Sequence, residues 1–235
     1  MTSILYDTVL SPFYDRLVVI WPANVHPNAI TILGGCACSL SIIAMQSGRW
    51  GVACIAYTLY HMFDNMDGKH ARRTRQTSRF GKLLDHAIDG SVGITAACQI
   101  CCECLFNYPE AIHFALCCGM GTMLTCHLAE YVSGIATLGT RFFSADELFL
   151  ICSLALAWRS LAGTSLMHLG DDSYWCVQWS WTGGVAVMAL LTVRSWTWLL
   201  GLAAFACVCM LASWPWPVVV YAPCFTVLLL SNSFG

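Results

Sequence analysis

The sequence predicts an all-α protein, a polytopic transmembrane helical bundle forming a single integral-membrane domain over residues 1–235. Three observations predict it. Of the 235 residues, 58% are hydrophobic and only 10% charged, with a mean hydropathy of +0.66, which excludes an ordinary soluble domain. Apolar stretches of roughly 20 residues, enough to cross about 30 Å of hydrocarbon, recur along nearly the whole length. Charge is concentrated: Lys69, Arg72, Arg73, Arg75, Arg79 and Lys82 place six of the eleven basic residues in one segment, which the positive-inside rule assigns to the cytosol.

Residues 1–25 mix Tyr6, Phe13, Tyr14 and Trp21 with Asp7, Asp15 and Arg16, a pattern for a helix lying in the membrane interface. Pro22 and Pro27 then mark the entry into the membrane. The first long apolar run starts near Asn28, behind that polar and aromatic stretch, and reads as a retained span rather than a cleavable signal. Spans are expected at 28–46, 50–66, 84–106, 111–133, 146–168, 178–194 and 196–214, with an eighth option at 216–231. The last third divides ambiguously, because its prolines, Pro215, Pro217 and Pro223, fit either a kink or a turn, so the count is six to eight. No repeat of solenoid period and no low-complexity linker interrupts the chain.

Fifteen cysteines raise the question of a disulfide scaffold or a metal site. They are scattered through apolar runs, and even the densest group, Cys98, Cys101, Cys102 and Cys104, is expected to act as small apolar filler. The net charge of −2 says little about partners, and no nucleic-acid partner is expected. The tryptophans, among them Trp175, Trp179, Trp181, Trp196 and Trp198, read as interfacial anchors.

The chemistry gathers in residues 63–90, FDNMDGKHARRTRQTSRFGKLLDHAIDG. Carboxylates at the ends of membrane spans are costly and point to function. Asp64 and Asp67 are three apart and Asp85 and Asp89 four apart, so each pair shares one helix face, and the two faces can meet across the intervening loop. Four converging carboxylates repel one another unless protons or cations intervene, and hard oxygen ligands suit Mg2+ or Mn2+. A pair of such ions can bridge a pyrophosphate and stabilise the attacking and leaving oxygens of a displacement. Gly68 lies one turn beyond Asp64, and Gly81, Asp85, Asp89 and Gly93 form a stripe at spacing four that leaves room for a bulky nucleotide. Arg72 can hold phosphate oxygens in a fork; the other basic residues are expected to include solvated loop charges.

With these residues in place, the segment resembles the CDP-alcohol phosphotransferases, whose signature runs D-x2-D-G-x2-A-R, eight or nine residues, then G-x3-D-x3-D. Asp64, Asp67, Gly68, Ala71, Arg72, Gly81, Asp85 and Asp89 supply all eight fixed positions over residues 64–89. PNAIT at 27–31, GKHARRT, LLDH, and EYVSG at 130–134 followed by Asp146 and Glu147 are similar to the eukaryotic choline and ethanolamine phosphotransferase branch.

The resemblance implies a six-helix catalytic core with one or two extra C-terminal spans, and two bound divalent ions, Mg2+ or Mn2+. It implies an enzyme that transfers phosphoethanolamine or phosphocholine from CDP-ethanolamine or CDP-choline to diacylglycerol, with CMP leaving. It makes Asp64, Asp67 and Asp85 metal ligands, with Asp89 either a ligand or a base. His86 becomes the base that takes the diacylglycerol proton, work that suits an imidazole. Gly68, Ala71, Arg72, Gly81 and Asn28 become substrate-binding residues. A multi-pass location in the endoplasmic reticulum or Golgi, with the site facing the cytosol, and a homodimer also follow from it. The chain is short beside typical members of the branch, so the final spans are expected to be trimmed.

One departure stands out: where the branch usually carries a glutamate after the glycine, this chain has Lys82, a helical neighbour of His86 that disfavours imidazole protonation. The remaining histidines, His26, His61, His70, His113, His127 and His168, are expected to serve packing or the interface. Glu103, Glu130 and Arg159 fit either a polar pocket or an interhelical pair. Other readings of the acidic pairs are a donor with a different head group, an aspartate-rich membrane prenyltransferase and a divalent-metal transporter. The prenyltransferase does not call for the glycine and arginine spacing. The transporter would place its carboxylates near the midplane of several helices.

Overall fold

A short polar turn between two apolar helices sets the core of the architecture. The computed structural model describes residues 3–107 and 144–167 and, between them, residues 109, 112, 115, 116, 119, 120 and 123. Helix α2 spans Pro27–Gln46 and α3 spans Trp50–Thr74. The three residues between them force an antiparallel hairpin, turned at Gly48 with φ of 68°, a conformation glycine adopts without steric cost. Hydrogen bonds close the hairpin at both ends. Ser41 Oγ donates to the Ala53 carbonyl at 3.0 Å near the turn, and Thr31 Oγ1 donates to Asp67 Oδ2 at 2.5 Å at the open end.

Before the hairpin lies α1, Ser11–Leu17, preceded by a π-turn at Tyr6–Leu10 and followed by a 3₁₀ turn at Val18–Ile20. Its buried residues Tyr14 and Val18 pack against Met66, with Met62 and Phe63 beside them, while Val9, Phe13, Val19 and Ile20 stay exposed. Two basic residues of α3 fasten this segment. Lys69 Nζ bonds Ser11 Oγ at 2.8 Å and Asp15 Oδ1 at 2.7 Å, and the Arg73 guanidinium donates to the Val18 carbonyl at 3.1 Å. These two charges are ties between helices, because α3 runs on through Thr74.

After α3 the chain turns at Arg75, which holds φ of 58°, and its N–H caps the Ala71 and Arg72 carbonyls. A side chain in the left-handed region costs about 1 kcal/mol that glycine avoids. Arg75→Gly is expected to stabilise the fold by about 1 kcal/mol, read as a raised thermal midpoint in detergent.

Ser78 then caps α4, Arg79–Ile88, its hydroxyl accepting from the Gly81 N–H at 2.9 Å. The helix continues through a π-turn at Asp89–Gly93, α5 at Ile94–Ile100 and a second π-turn at Cys101–Leu105. Helix α6, Ala145–Ala162, opens on a capping box in which Ser144 and Glu147 satisfy each other's backbone. It packs on α3 and α5.

All described elements are helical, with no strand among the described residues. Two of the helices, Pro27–Gln46 and Arg79–Leu105, are long and apolar enough to cross a membrane. Helices α3 and α6 stand where spans were expected at 50–66 and 146–168 but fall short of that measure among the described residues. In α3 the cause is the polar run His61, Asp64, Asn65 and Asp67; in α6 it is Asp146, Glu147 and Arg159. Both still present apolar outer faces, Val52, Ile55 and Leu59 on one and Leu154, Trp158 and Leu161 on the other. The expected spans at 111–133, 178–194, 196–214 and 216–231 lie outside the continuously described residues, as do EYVSG, His113, His127, Glu130, His168 and the later tryptophans.

Cys98, Cys101, Cys102 and Cys104 are buried free thiols. Cys101 and Cys104 join Cys38, Cys152, Tyr57 and Tyr60 in the main core, where a thiol packs as a small apolar group. Glu103 accepts from Gln99 of the same helix at 3.0 Å. The Arg159 guanidinium lies 5.0 Å from the Trp50 ring centre, which makes it an interhelical contact.

Candidate functional site

Helix spacing puts Tyr60, Asp64 and Asp67 on one face of α3, and Gly81, Asp85 and Asp89 on one face of α4 and its π-turn. The close approach of α2 to both rests on glycine: a Cβ at Gly35 would press within 3.2 Å of Ile88, and one at Gly34 would touch Phe63 at 3.4 Å. The two acidic faces meet. The Asp64 carboxyl lies within hydrogen-bonding reach of both Asp85 and Asp89. Asp85, His86 and Asp89 each offer a ligand atom, all within 4.8 Å of one another. Asp67 stands at the edge of the cluster, one oxygen engaged by Thr31.

Tyr60 completes the arrangement from α3, its hydroxyl donating to Asp89 Oδ1 at 2.7 Å. A Cβ at Gly93 would collide with that same hydroxyl, so Gly93 is the space in which Tyr60 reaches Asp89. The π-turn at Asp89–Gly93 brings both groups to this point; such widened turns recur at functional sites.

Beside the cluster lies a cavity of about 540 Å³ walled by α2, α3 and α4, a size that suits a small-molecule ligand. Asn28, Gly68, Ala71, Arg72 and Gly81 all line it, with Asp67 and Asp85 at its acidic side and Arg72, Arg79 and Lys82 as its cations. Gly81 is needed for clearance, since a Cβ there would stand 3.0 Å from Asn28 Oδ1 and 3.1 Å from Ser78 Oγ. At Gly68 a Cβ would meet the Arg72 guanidinium at 3.4 Å, so the small residue lets Arg72 fold back along its own helix. His26 caps α2 by accepting from the Asn28 N–H at 3.2 Å, which fixes Asn28 at the cavity wall.

The donor set fits a divalent cation on its chemistry. Asp85 Oδ1 is buried and has no hydrogen-bond partner, a costly state for a polar atom. Carboxyls within hydrogen-bonding reach of one another require a proton or a cation between them, and clustered carboxylate oxygens select hard ions such as Mg2+ or Mn2+.

Several polar neighbours had no role at the site assigned from the sequence. Thr31 and Tyr60 reach the cluster only through packing between helices, although Tyr60 lies one turn before Asp64 and so shares its face. Asp146, in the first turn of α6, lies 3.6 Å from His61 Nε2 of α3. His70 is fully buried, with Nε2 2.9 Å from the Val25 carbonyl, and serves packing.

Comparison with known proteins assigns the family. A family model described as CDP-alcohol phosphatidyltransferase matches residues 24–230, and the chain belongs to that family. It is similar to Cholinephosphotransferase 1 of Gallus gallus, 28% identical over 174 residues that make up 69% of this chain and 51% of the relative. It is also similar to Cholinephosphotransferase 1 of Saccharomyces cerevisiae, 37% identical over 98 residues, 37% of this chain and 25% of the relative. Choline/ethanolaminephosphotransferase 2 of Arabidopsis thaliana is 34% identical over 115 residues, 41% of this chain and 30% of the relative. The chain thus spans about half or less of the length of these curated relatives.

Proposed function

We propose that the chain transfers phosphoethanolamine or phosphocholine from CDP-ethanolamine or CDP-choline to diacylglycerol, yielding phosphatidylethanolamine or phosphatidylcholine and CMP. The observation that carries this reading is the single cavity in which Asn28, Gly68, Ala71, Arg72 and Gly81 converge beside Asp67 and Asp85. The names of the relatives supply the head groups and are themselves the reason for choosing them.

In this reading Asp64, Asp67, Asp85 and Asp89 hold two divalent ions, Mg2+ or Mn2+, which would neutralise pyrophosphate charge. Arg72 binds phosphate oxygens with its planar fork. Asn28 and the glycine-lined wall take the nucleotide. As the acceptor oxygen bonds to phosphorus and the bond from phosphorus to the CMP oxygen breaks, the acceptor proton passes to His86, or to Asp89 if Lys82 weakens that imidazole as a base. Lys82 also favours a second reading, a donor with another head group, because a third cation stands on the cavity wall with Arg72 and Arg79.

We place this chemistry in one membrane domain over residues 1–235, built on a six-helix core with one or two further C-terminal spans. The site faces the cytosol from the endoplasmic reticulum or Golgi, and the protein pairs as a homodimer. The test is phospholipid formation in membranes free of endogenous activity, with CDP-ethanolamine and CDP-choline supplied separately. The expected result is product with at least one donor, and the ratio of the two assigns the head group. No product from a folded chain with either donor would reject this reading and favour another CDP-alcohol.

A further inference from the structure

One oxygen of the acidic cluster is already committed within the protein. The Tyr60 hydroxyl donates to Asp89 Oδ1 at 2.7 Å, and a bond of this kind is strong when the carboxyl is ionised. Asp85, one helical turn earlier, presents the opposite state: its Oδ1 is buried with no hydrogen-bond partner. The two carboxyls that α4 and its π-turn contribute therefore differ, one with an oxygen left open and the other with an oxygen held.

The donor that holds Asp89 is itself fixed. Tyr60 is 1% exposed, and its ring packs 5.8 Å from that of Tyr57 and 5.6 Å from that of Phe149. The backbone of the π-turn closes on the hydroxyl from the other side, since a Cβ at Gly93 would overlap it and stand 3.3 Å from Tyr60 Cζ. Gly93 lies four residues after Asp89 and so shares its face. The residue that accepts the bond and the residue that makes room for the donor are thus one turn apart on the same face.

Selection among hard cations depends on the number of ligands and on their freedom to move. Mg2+ demands a near-octahedral shell at about 2.1 Å, whereas Ca2+ takes about six to eight oxygens at longer range and readily uses both oxygens of one carboxylate. Mn2+ suits the same oxygen donors as Mg2+. A carboxylate free to rotate serves either kind of ion. One whose Oδ1 is pinned by a rigid donor offers its other oxygen in a set direction, which suits the octahedral ions better. Partners of this sort orient the groups that touch a metal, and losing one costs about 10–100-fold in affinity.

We propose that Tyr60 is a positioning residue that sets the cation preference of the cluster: by holding Asp89 as a one-oxygen ligand it favours Mg2+ or Mn2+ over Ca2+. The inference rests on the reading that the four aspartates hold divalent ions, and adds to it the group that selects among them.

The experiment uses the full chain in lipid nanodiscs without substrates. Mn2+ binding is followed by the electron paramagnetic resonance signal of free Mn2+, and Ca2+ binding by its displacement of bound Mn2+. The wild-type chain is expected to hold Mn2+ about tenfold or more tightly than Ca2+. Tyr60→Phe keeps the ring and loses the hydroxyl; it is expected to weaken Mn2+ binding by about tenfold while Ca2+ binding stays within about twofold, so the preference collapses. The double variant Gly93→Ala, Tyr60→Phe, whose methyl group takes the space of the lost hydroxyl, is expected to show the same collapse. A tyrosine that only packs would lower the thermal midpoint and leave the ratio of the two affinities alone. An unchanged ratio in either folded variant, or a wild-type chain that does not distinguish the two ions, would overturn the proposal. A wild-type chain that binds neither ion would instead reject the underlying metal reading, and this assignment with it.

Discussion

Asp85→Asn is expected to abolish metal-dependent transfer, with a loss of about three orders of magnitude or more, and at the same time to raise the thermal midpoint of the metal-free protein. The opposite signs follow from one cause. In the absence of a cation the Asp85 carboxyl stands buried among other acidic groups, with an oxygen that has no hydrogen-bond partner, so an uncharged amide of the same shape lowers the cost of crowding acidic groups there. With Mg2+ or Mn2+ supplied, the wild-type protein gains the stability of ligand binding, and Asp85→Asn gains less of it. EDTA is expected to reproduce the loss of transfer in the wild-type chain. Thermal midpoints with and without metal, beside turnover, check both halves.

Gly93→Ala carries the second large effect. Its new methyl group occupies the position of the Tyr60 hydroxyl, which donates to Asp89. Tyr60 sits in the main core beside Tyr57 and Phe149 and has little room to retreat. Overpacking of this kind costs about 1–3 kcal/mol, and displacing Tyr60 also frees Asp89 from its fixed orientation, so turnover falls with stability. Tyr60→Phe removes the hydroxyl but keeps the ring. The double variant Gly93→Ala, Tyr60→Phe is therefore expected to be more stable than the sum of the two single changes. Additivity would show that the Gly93 clearance is not set by that hydroxyl.

How much of this was legible in the sequence depends on whether the relevant residues share a helix. The pairs Asp64 and Asp67, and Asp85 and Asp89, are set by helical periodicity, so their facing could be read directly from spacing. The helical nature of 28–46, 50–66 and 84–106 was likewise legible in apolar run length. Thr31 bonding Asp67, Tyr60 bonding Asp89 and Asp146 beside His61 are contacts between helices, fixed by how α2, α3 and α6 cross, and no periodicity reports them. The basic segment shows the same limit. Its charge excess was plain, yet which cations line the cavity, as Arg72, Arg79 and Lys82 do, and which fasten α1, as Lys69 and Arg73 do, emerges only when the helices are packed. The expected span ended at 66 with the apolar run, whereas the helix that carries Asp64, Asp67 and Arg72 continues through charged turns until Arg75 stops it in the left-handed region.

The measurement that tests the central claim most directly is the stoichiometry of CMP release against lipid product. The purified chain would be reconstituted with diacylglycerol and a CDP-alcohol, with Mg2+, with Mn2+ and with EDTA. The account predicts one CMP for each phospholipid formed, only when a divalent ion is present, and neither product from Asp85→Asn. CMP and phospholipid formed equally well in EDTA, or a folded, metal-loaded chain that forms neither with any CDP-alcohol, would contradict it.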